Sequence, residues 1–416
     1  MINNTLDCTG CNACVQKCPQ GCITLEENKY GFLYPKIDQT NCISCNLCNK
    51  VCHLQNCINQ DIITPTAYAA IHKDINTVLK STSGGIFSAI SEKILSCGGV
   101  VYGCTFGKNL QPHHMRVDNL NNLHLLYGSK YIQSDIGNCY NDTLEDLKEE
   151  RTVFFTGTPC QVAGLKTFLG KDYKNLFTAD LICHGVPSYA YFHKFIKWYE
   201  KKNNCRIIDY NFRSKENAGW SLAGTYTIKK HEKELMKNVF YFDNYYYHYF
   251  LNGEIYRESC YNCKYANIYR PGDFTLGDLW GAEKIKPTFN IENGCSLLLV
   301  NSSKGKSLLK DINIITEEIP LDFALQNNEQ LHTPTKKSPD RIDILEEYCN
   351  YPAELIQKNY CKKYRKARII AKMKYFIPLK IKNILLMLKN NKTEEKVYDN
   401  TTYAGRTEYK TGTARS

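Results

Sequence analysis

Cys8-Thr9-Gly10-Cys11-Asn12-Ala13-Cys14-Val15-Gln16-Lys17-Cys18-Pro19 returns 34 residues later as Cys42-Ile43-Ser44-Cys45-Asn46-Leu47-Cys48-Asn49-Lys50-Val51-Cys52. Both copies read C-x2-C-x2-C-x3-C. A [4Fe-4S] cube takes four thiolates around a compact core, and the tight triplet supplies three from one loop while the fourth comes from elsewhere. Where the motif is duplicated the fourth ligand crosses between copies. Cys8, Cys11, Cys14 and Cys52 are therefore expected to hold one [4Fe-4S] cluster, and Cys42, Cys45, Cys48 and Cys18 the other. The alternative is a pair of zinc sites, but zinc motifs come as separated C-x2-C pairs rather than triplets of this density. Pro19 follows the crossing cysteine of the first copy, and His53 stands at the equivalent place in the second. Cys22 and Cys57 are surplus and read as packed thiols.

Working outward, Ile23-Thr24-Leu25 and Gly31-Phe32-Leu33-Tyr34 read as short strands around an Asn28-Lys29-Tyr30 turn, which makes residues 1–58 an α+β, ferredoxin-like module. A polar linker ends at Pro65. From residue 67 strands alternate with helices, the pattern of an α/β domain with a mixed, partly parallel sheet, running to about residue 345. Strands are expected at Ala67–Ile71, Val100–Tyr102, Thr152–Phe155 and Phe177–Ile182, and helices at Gln161–Phe168 and Tyr189–Lys202. Ser83 is expected to cap a helix through Ile86, Ile90 and Ile94, stopped by Gly98-Gly99. Residues 206–230 alternate like antiparallel strands, and Cys295–Val300 is apolar enough for a central strand before a helix at Lys304–Asp311. Beyond about Pro320 the pattern fades. Residues 346–392 read as a basic helical extension, with an amphipathic helix pair over Ala367–Leu388 broken at Pro378, and residues 393–416 as a polar, disordered tail.

At 416 residues the chain is long enough for two or three domains and a buried site. It holds 21 cysteines without an opening secretory pattern, so the thiols are expected to be cytoplasmic metal ligands rather than disulfides. No uninterrupted apolar run of spanning length occurs. The net charge of +11 is concentrated: residues 358–392 hold 12 Lys or Arg and no Asp or Glu, which leaves 11 − 12 = −1 for the rest. Lysines interleaved with Tyr360, Tyr364, Ile369, Ile370, Tyr375 and Phe376 form either a basic amphipathic helix for peripheral binding to the inner, anionic membrane face or a solvated face that docks on a protein. No nucleic-acid module accompanies the charge, and no nucleic-acid partner is expected.

Four further cysteines belong together. Cys160 and Cys183 follow the ends of consecutive expected strands, and ligands collect at the carboxyl ends of a parallel sheet. If Cys260-x2-Cys263 folds over that edge, the four thiols would surround a third [4Fe-4S] cluster. Otherwise they are buried free cysteines beside a redox or zinc C-x2-C pair.

At this point the chain resembles the beta subunits of coenzyme F420-reducing hydrogenases and F420 dehydrogenases. The resemblance is carried by Lys80-Ser81-Thr82-Ser83-Gly84-Gly85, Gly128-Ser129-Lys130-Tyr131-Ile132-Gln133-Ser134, Phe155-Thr156-Gly157-Thr158-Pro159-Cys160-Gln161, Cys183-His184-Gly185-Val186-Pro187-Ser188, Arg257-Glu258-Ser259-Cys260-Tyr261-Asn262-Cys263 and Gly277-Asp278-Leu279-Trp280-Gly281, in the family's order. It implies an oxidoreductase with FAD beside an iron–sulfur cluster, exchanging hydride with coenzyme F420 and single electrons with clusters that serve a redox partner protein or small redox substrate. Ser81, Ser83, Gly84 and Gly85 could offer N–H groups and hydroxyls to a cofactor phosphate, or be an ordinary helix cap. Lys130 could pair with a phosphate or the flavin's electron-rich edge, or be a solvated lysine. Arg213 and Lys215 are weaker candidates for an anionic substrate tail, and Asp278 and Trp280 for shaping the pocket, though Trp280 is as much a core residue. Many relatives of this type accompany surface-polysaccharide genes, which leaves two other readings: a reductase of that biosynthesis without F420, and a non-enzymatic electron-relay protein. No single catalytic residue is legible.

Overall fold

The structure is a computed structural model, and it describes residues 6–56, 63–216 and 219–376. Along the chain, β1 (Ile23–Glu27) and β2 (Leu33–Ile37) pair as an antiparallel hairpin between the two cysteine motifs. There follow β3 (Thr66–His72), β4 (Val100–Phe106), β5 (Pro112–Val117), β6 (Val153–Gly157) and β7 (Leu176–Leu181). Next come β8 (Arg206–Asn211), β9 (Gly224–Lys230) and β10 (Lys233–Val239), then β11 (Phe274–Asp278), β12 (Ser296–Val300) and β13 (Ile314–Ile319).

Eight strands form one sheet in the order β13-β3-β12-β11-β7-β6-β4-β5. Its centre, β4-β6-β7-β11, is parallel, and both flanks are antiparallel. The mixed α/β architecture expected from the sequence is the one observed. In β6 every residue is buried, as a central strand covered on both faces requires. The period of two sends Phe154 to one face, with Ile86, Ile90, Ile94 and Leu298, and Val153 and Phe155 to the other, with Val162, Leu165 and Phe168. That second core also contains Ala13 and Val51, so the two cysteine motifs pack on helix Pro159–Leu169. Residues 1–363 make one unit and residues 364–416 a second.

Three expectations need correction. Ser83 does not cap the helix Ile86–Ser96: Gly85, at φ 86°, is the N-cap, and Ser83 Oγ donates to the Cys295 carbonyl. A short helix, Ile75–Lys80, capped by Asp74, precedes it. The region after Pro320 does not lose structure, because helices run over Leu321–Asn327, Arg341–Asn350, Ala353–Lys363 and Arg365–Phe376. Their apolar stripes are narrow among charged residues, and so weak as a periodic signal. The expected helix around Pro378, the disordered tail and Cys57 lie outside the described residues. Strands β8–β10 form a separate three-stranded antiparallel sheet, of which β10 is the unforeseen member. No helix among the described residues is long and apolar enough to cross a membrane.

Candidate functional site

The two N-terminal loops repeat in backbone as well as in sequence. Gly10 and Asn12 in the first, Ser44 and Asn46 in the second, all have left-handed φ between 55° and 68°. These two reversals curl each loop so that three cysteines can face one centre. Glycine and asparagine tolerate this region best. Short helices Ala13–Lys17 and Leu47–Lys50 follow and carry the fourth cysteine of each motif to the other copy. The Cys14 thiol is pushed up to about 12 by burial, then by Cys8, Cys52 and Cys48, which places Cys52 beside the first loop. Cys18, Cys42, Cys45 and Cys48 line one small cavity, closed by Pro19, Ile23, Ile37, Ile43 and Leu47. The fourth cysteine of each motif thus lies beside the loop of the other copy. Cys22 Sγ sits 3.3 Å from Cys18 Sγ at the cavity's edge.

The other four thiols lie within electrostatic reach of one another. Burial pushes Cys183 well above the ordinary thiol range, followed by Cys260, Cys160 and Cys263. Cys260 rises to about 12 and Cys160 to about 11, again through burial first and through neighbours of the same set. Four crowded, buried thiols cannot all ionise without a cation among them. Cys160 comes from the first turn of helix Pro159–Leu169, whose N-terminus is fixed by Pro159 and a Thr158/Gln161 capping box. Cys183 follows β7, and Cys260 and Cys263 lie on and just past a 3-10 turn, Glu258–Asn262. Cys160 also acts on Cys11, so this set adjoins the first. A Cβ at Gly164 would fall 3.0 Å from Cys11 Sγ, which explains a glycine inside that helix.

Between the two sets lies a buried polar seam. His53 Nε2 is 3.0 Å from Thr9 Oγ1, its Nδ1 is 2.6 Å from Tyr265 Oη, and Lys264 Nζ donates to its carbonyl. Burial, reinforced by Lys264, lowers His53 to about 3 and keeps it neutral. Arg257, 1% exposed, reaches from the C-x2-C turn to the carbonyls of Cys8 and Leu33. Neither Arg257 nor Tyr265 announces itself in sequence, since burial of a charged or polar residue leaves no periodic trace.

Of the residues expected at the cofactor, Ser83, Gly84 and Asp278 lie where β11 ends against the start of β12, while Lys130 is held beside Tyr127, and many of them are engaged with the protein. Ser81 Oγ donates to Thr77 O, Ser83 Oγ to Cys295 O, and Gly84 N to Ser296 Oγ at 2.8 Å. Gly84 is required for this docking, because a Cβ would come within 2.3 Å of Ala70 O. Ser129 Oγ approaches Thr82 Oγ1, which brings the 128–134 segment to the same turn. Lys130 Nζ donates to Tyr127 O, and burial lowers the lysine against the pull of Cys104 and Asp209. Asp278 accepts from Arg213 Nη1 at 2.7 Å and from Trp220 Nε1 at 3.0 Å. Trp220 and Trp280 stack with planes 2° apart, and Arg213 lies over Trp280. Burial opposes the charge on Arg213, but Asp278, with Tyr131 and Tyr247, more than offsets it, and the buried Arg213 Nη2 has no hydrogen-bond partner among the described residues. Lys215, donating to Val78 O and Ser83 O, falls to about 8 through burial, with Arg213 adding to the fall and Asp278 opposing it. His184, beside Cys183, is lowered by burial with Asp278 opposing. Cys183 and His184 thus connect the thiol set to Asp278 and the tryptophans.

Comparison with known proteins follows this division. Residues 150–319 match the family described as the C terminus of the coenzyme F420 hydrogenase/dehydrogenase beta chain, and residues 7–56 match the 4Fe-4S dicluster domain. No curated protein matches. Among solved structures, a chain of the F420-reducing [NiFe] hydrogenase complex from Methanosarcina barkeri is 14% identical, covering 72% of this chain and 93% of its own, with a TM-score of 0.40. Residues 7–56 therefore carry a 4Fe-4S dicluster domain, and residues 150–319 match the C-terminal domain of the coenzyme F420 hydrogenase/dehydrogenase beta subunits, which supports iron–sulfur electron transfer of that type.

Proposed function

We propose that this chain is an iron–sulfur flavoprotein oxidoreductase that passes electrons between a hydride carrier, coenzyme F420 or a related donor, and a redox partner through FAD and three [4Fe-4S] clusters. The observation that carries the reading is the convergence of Cys160, Cys183, Cys260 and Cys263 beside Cys11 of the first N-terminal loop. In this reading Cys8, Cys11, Cys14 and Cys52 hold one cluster, Cys18, Cys42, Cys45 and Cys48 a second, and the converged four a third. A path of clusters then leads from the exposed Cys45 inward to Cys183.

The residues around Asp278 fit a flavin. Arg213 keeps a buried donor with no partner among the described residues, which suits a phosphate or the electron-rich edge of a flavin ring, and the tryptophan pair offers flat apolar surface. A flavin supplies the chemistry the clusters lack, taking two electrons with a hydride and releasing them one at a time. The protein's part is positional. Asp278 fixes Arg213 and Trp220, Lys215 ties the 81–85 turn to helix Ile75–Lys80, and His184, next to Cys183 in the chain, feels the charge of Asp278.

The basic segment 358–392 is proposed as a peripheral membrane contact, for which the lysine content and the exposed Ile369, Ile370 and Met373 are the support. Flotation with anionic but not neutral vesicles is the expected result.

The function is tested on anaerobically purified full-length protein by measuring released flavin, then comparing reduced F420 with reduced nicotinamides as donors to a viologen. Stoichiometric FAD and oxidation of one of these donors are expected. Clusters without flavin, and no donor oxidation, would leave only an electron relay.

A further inference from the structure

A guanidinium taken wholly out of water needs a counter-charge, since an unpaired buried ion costs several kcal/mol. Arg257 is such a group. Its Nε donates to Gln133 Oε1 at 2.9 Å, Nη1 to the Cys8 carbonyl at 3.3 Å and Nη2 to the Leu33 carbonyl at 2.7 Å. The plane lies over Tyr34 at 4.5 Å and Phe32 at 5.3 Å. All of these partners are neutral, and among the described residues no carboxylate lies within ion-pair distance of it. Neighbouring Glu258 is committed to Lys337 and Arg341. Arg257 joins two of the sets by direct contact, its Nη1 donating to the Cys8 carbonyl of the first while its own carbonyl accepts from Cys260 N of the third at 3.0 Å. Among the described residues no hydrogen bond of Arg257 reaches Cys18, Cys42, Cys45 or Cys48 of the second set.

We infer that Arg257 is the shared counter-ion of the first and third clusters, a buried cation whose charge is balanced by those two anionic clusters and which binds the N-terminal module to the sheet domain through them. This rests on the reading that both sets hold clusters. Two consequences follow from elementary electrostatics. Reduction adds an electron, so a fixed cation close to both clusters holds their potentials above what the same ligands would give alone, and leaves the second cluster unaffected. Loading either cluster also relieves the buried charge, which couples module docking to cluster occupancy. Arg257 is a positioning and tuning residue, since it touches carbonyls and rings and no reacting atom.

The test uses the full chain, loaded anaerobically, as wild type, Arg257→Gln and Arg257→Lys, with iron per chain and a potentiometric titration read by electron paramagnetic resonance. Expected are three cluster signals in each, two of them moved to lower potential in Arg257→Gln, the third unmoved, and both largely restored in Arg257→Lys. Potentials unmoved in Arg257→Gln, a shift common to all three, or a lysine variant as low as the glutamine one would overturn the proposal while the three-cluster reading stood. If Arg257→Gln does not fold, Arg257→Lys decides: retained clusters at near-wild-type potentials support a counter-ion, and equal failure marks a merely structural anchor. A wild-type chain with about eight irons would instead overturn the reading beneath it.

Discussion

Tyr265 Oη and His53 Nδ1 lie 2.6 Å apart, both side chains buried, so the turn that carries Cys263 is bonded to the residue that follows Cys52. The second cysteine motif has histidine where the first has Pro19, and the contact gives that difference a purpose: a ring with two nitrogens ties Thr9 to Tyr265, which proline cannot do. Tyr265→Phe strands a buried imidazole nitrogen and is expected to cost about 1–3 kcal/mol in chemical denaturation, with iron content unchanged. Neutrality within about 0.5 kcal/mol would show that the contact is incidental.

Gly164→Ala runs against the usual rule. Inside a helix the change ordinarily stabilises by about 1 kcal/mol. Here the new Cβ would sit 2.9 Å from Tyr140 Oη and 3.0 Å from Cys11 Sγ, so a net loss of about 1–3 kcal/mol is expected, with a perturbed resonance signal from the first cluster. A more stable variant with unchanged spectra would refute the close packing of this helix on the Cys11 loop.

The loop after Cys263 is anchored by a fully buried ion pair. Arg270 Nε and Nη2 donate to Asp180 Oδ1, which also accepts from Thr275 Oγ1, while Gly272 N takes Oδ2. Asp180→Ala leaves the guanidinium uncompensated and is expected to cost about 3–5 kcal/mol. Urea denaturation monitored by circular dichroism reads it, and a loss under about 1 kcal/mol would mean the pair is dispensable.

His114, between Thr156 O and Ser134 Oγ, is lowered to about 4 by burial, with His113 and Lys130 adding and the Thr156 carbonyl and Asp135 opposing. The unfolded chain takes this proton as pH falls through about 6.5, and the native chain resists until about 4, so stability is lost across that window as the medium acidifies. Between pH 7.5 and 5 the contribution is about 2 kcal/mol. His114→Gln should flatten the pH dependence of the urea midpoint by that amount, and an identical slope in both proteins would contradict it.

The periodic parts of this fold were legible: the duplicated cysteine loops, the hairpin between them, and the run from β4 to β7 all announce themselves through spacing. The crossed partners of Cys18 and Cys52 follow from the same spacing. The meeting of Cys160 and Cys183 follows from the rule that puts strand ends together. What escaped was settled by packing at long range. Ser83 looked like a cap, but β12 supplied a carbonyl and made Gly85 the turning residue. Arg257 stood inside a recognised segment, yet only the folded chain shows that it is buried with no carboxylate at ion-pair distance among the described residues. The donors of the 81–85 turn are in part bonded to β12, which no local pattern could indicate.

Most depends on the third cysteine set. Iron and acid-labile sulfide, measured on the anaerobically purified full chain, are predicted at about twelve of each per chain, falling to about eight when Cys260 and Cys263 are both replaced by serine. About eight in the wild type, unchanged by the double replacement, would contradict it.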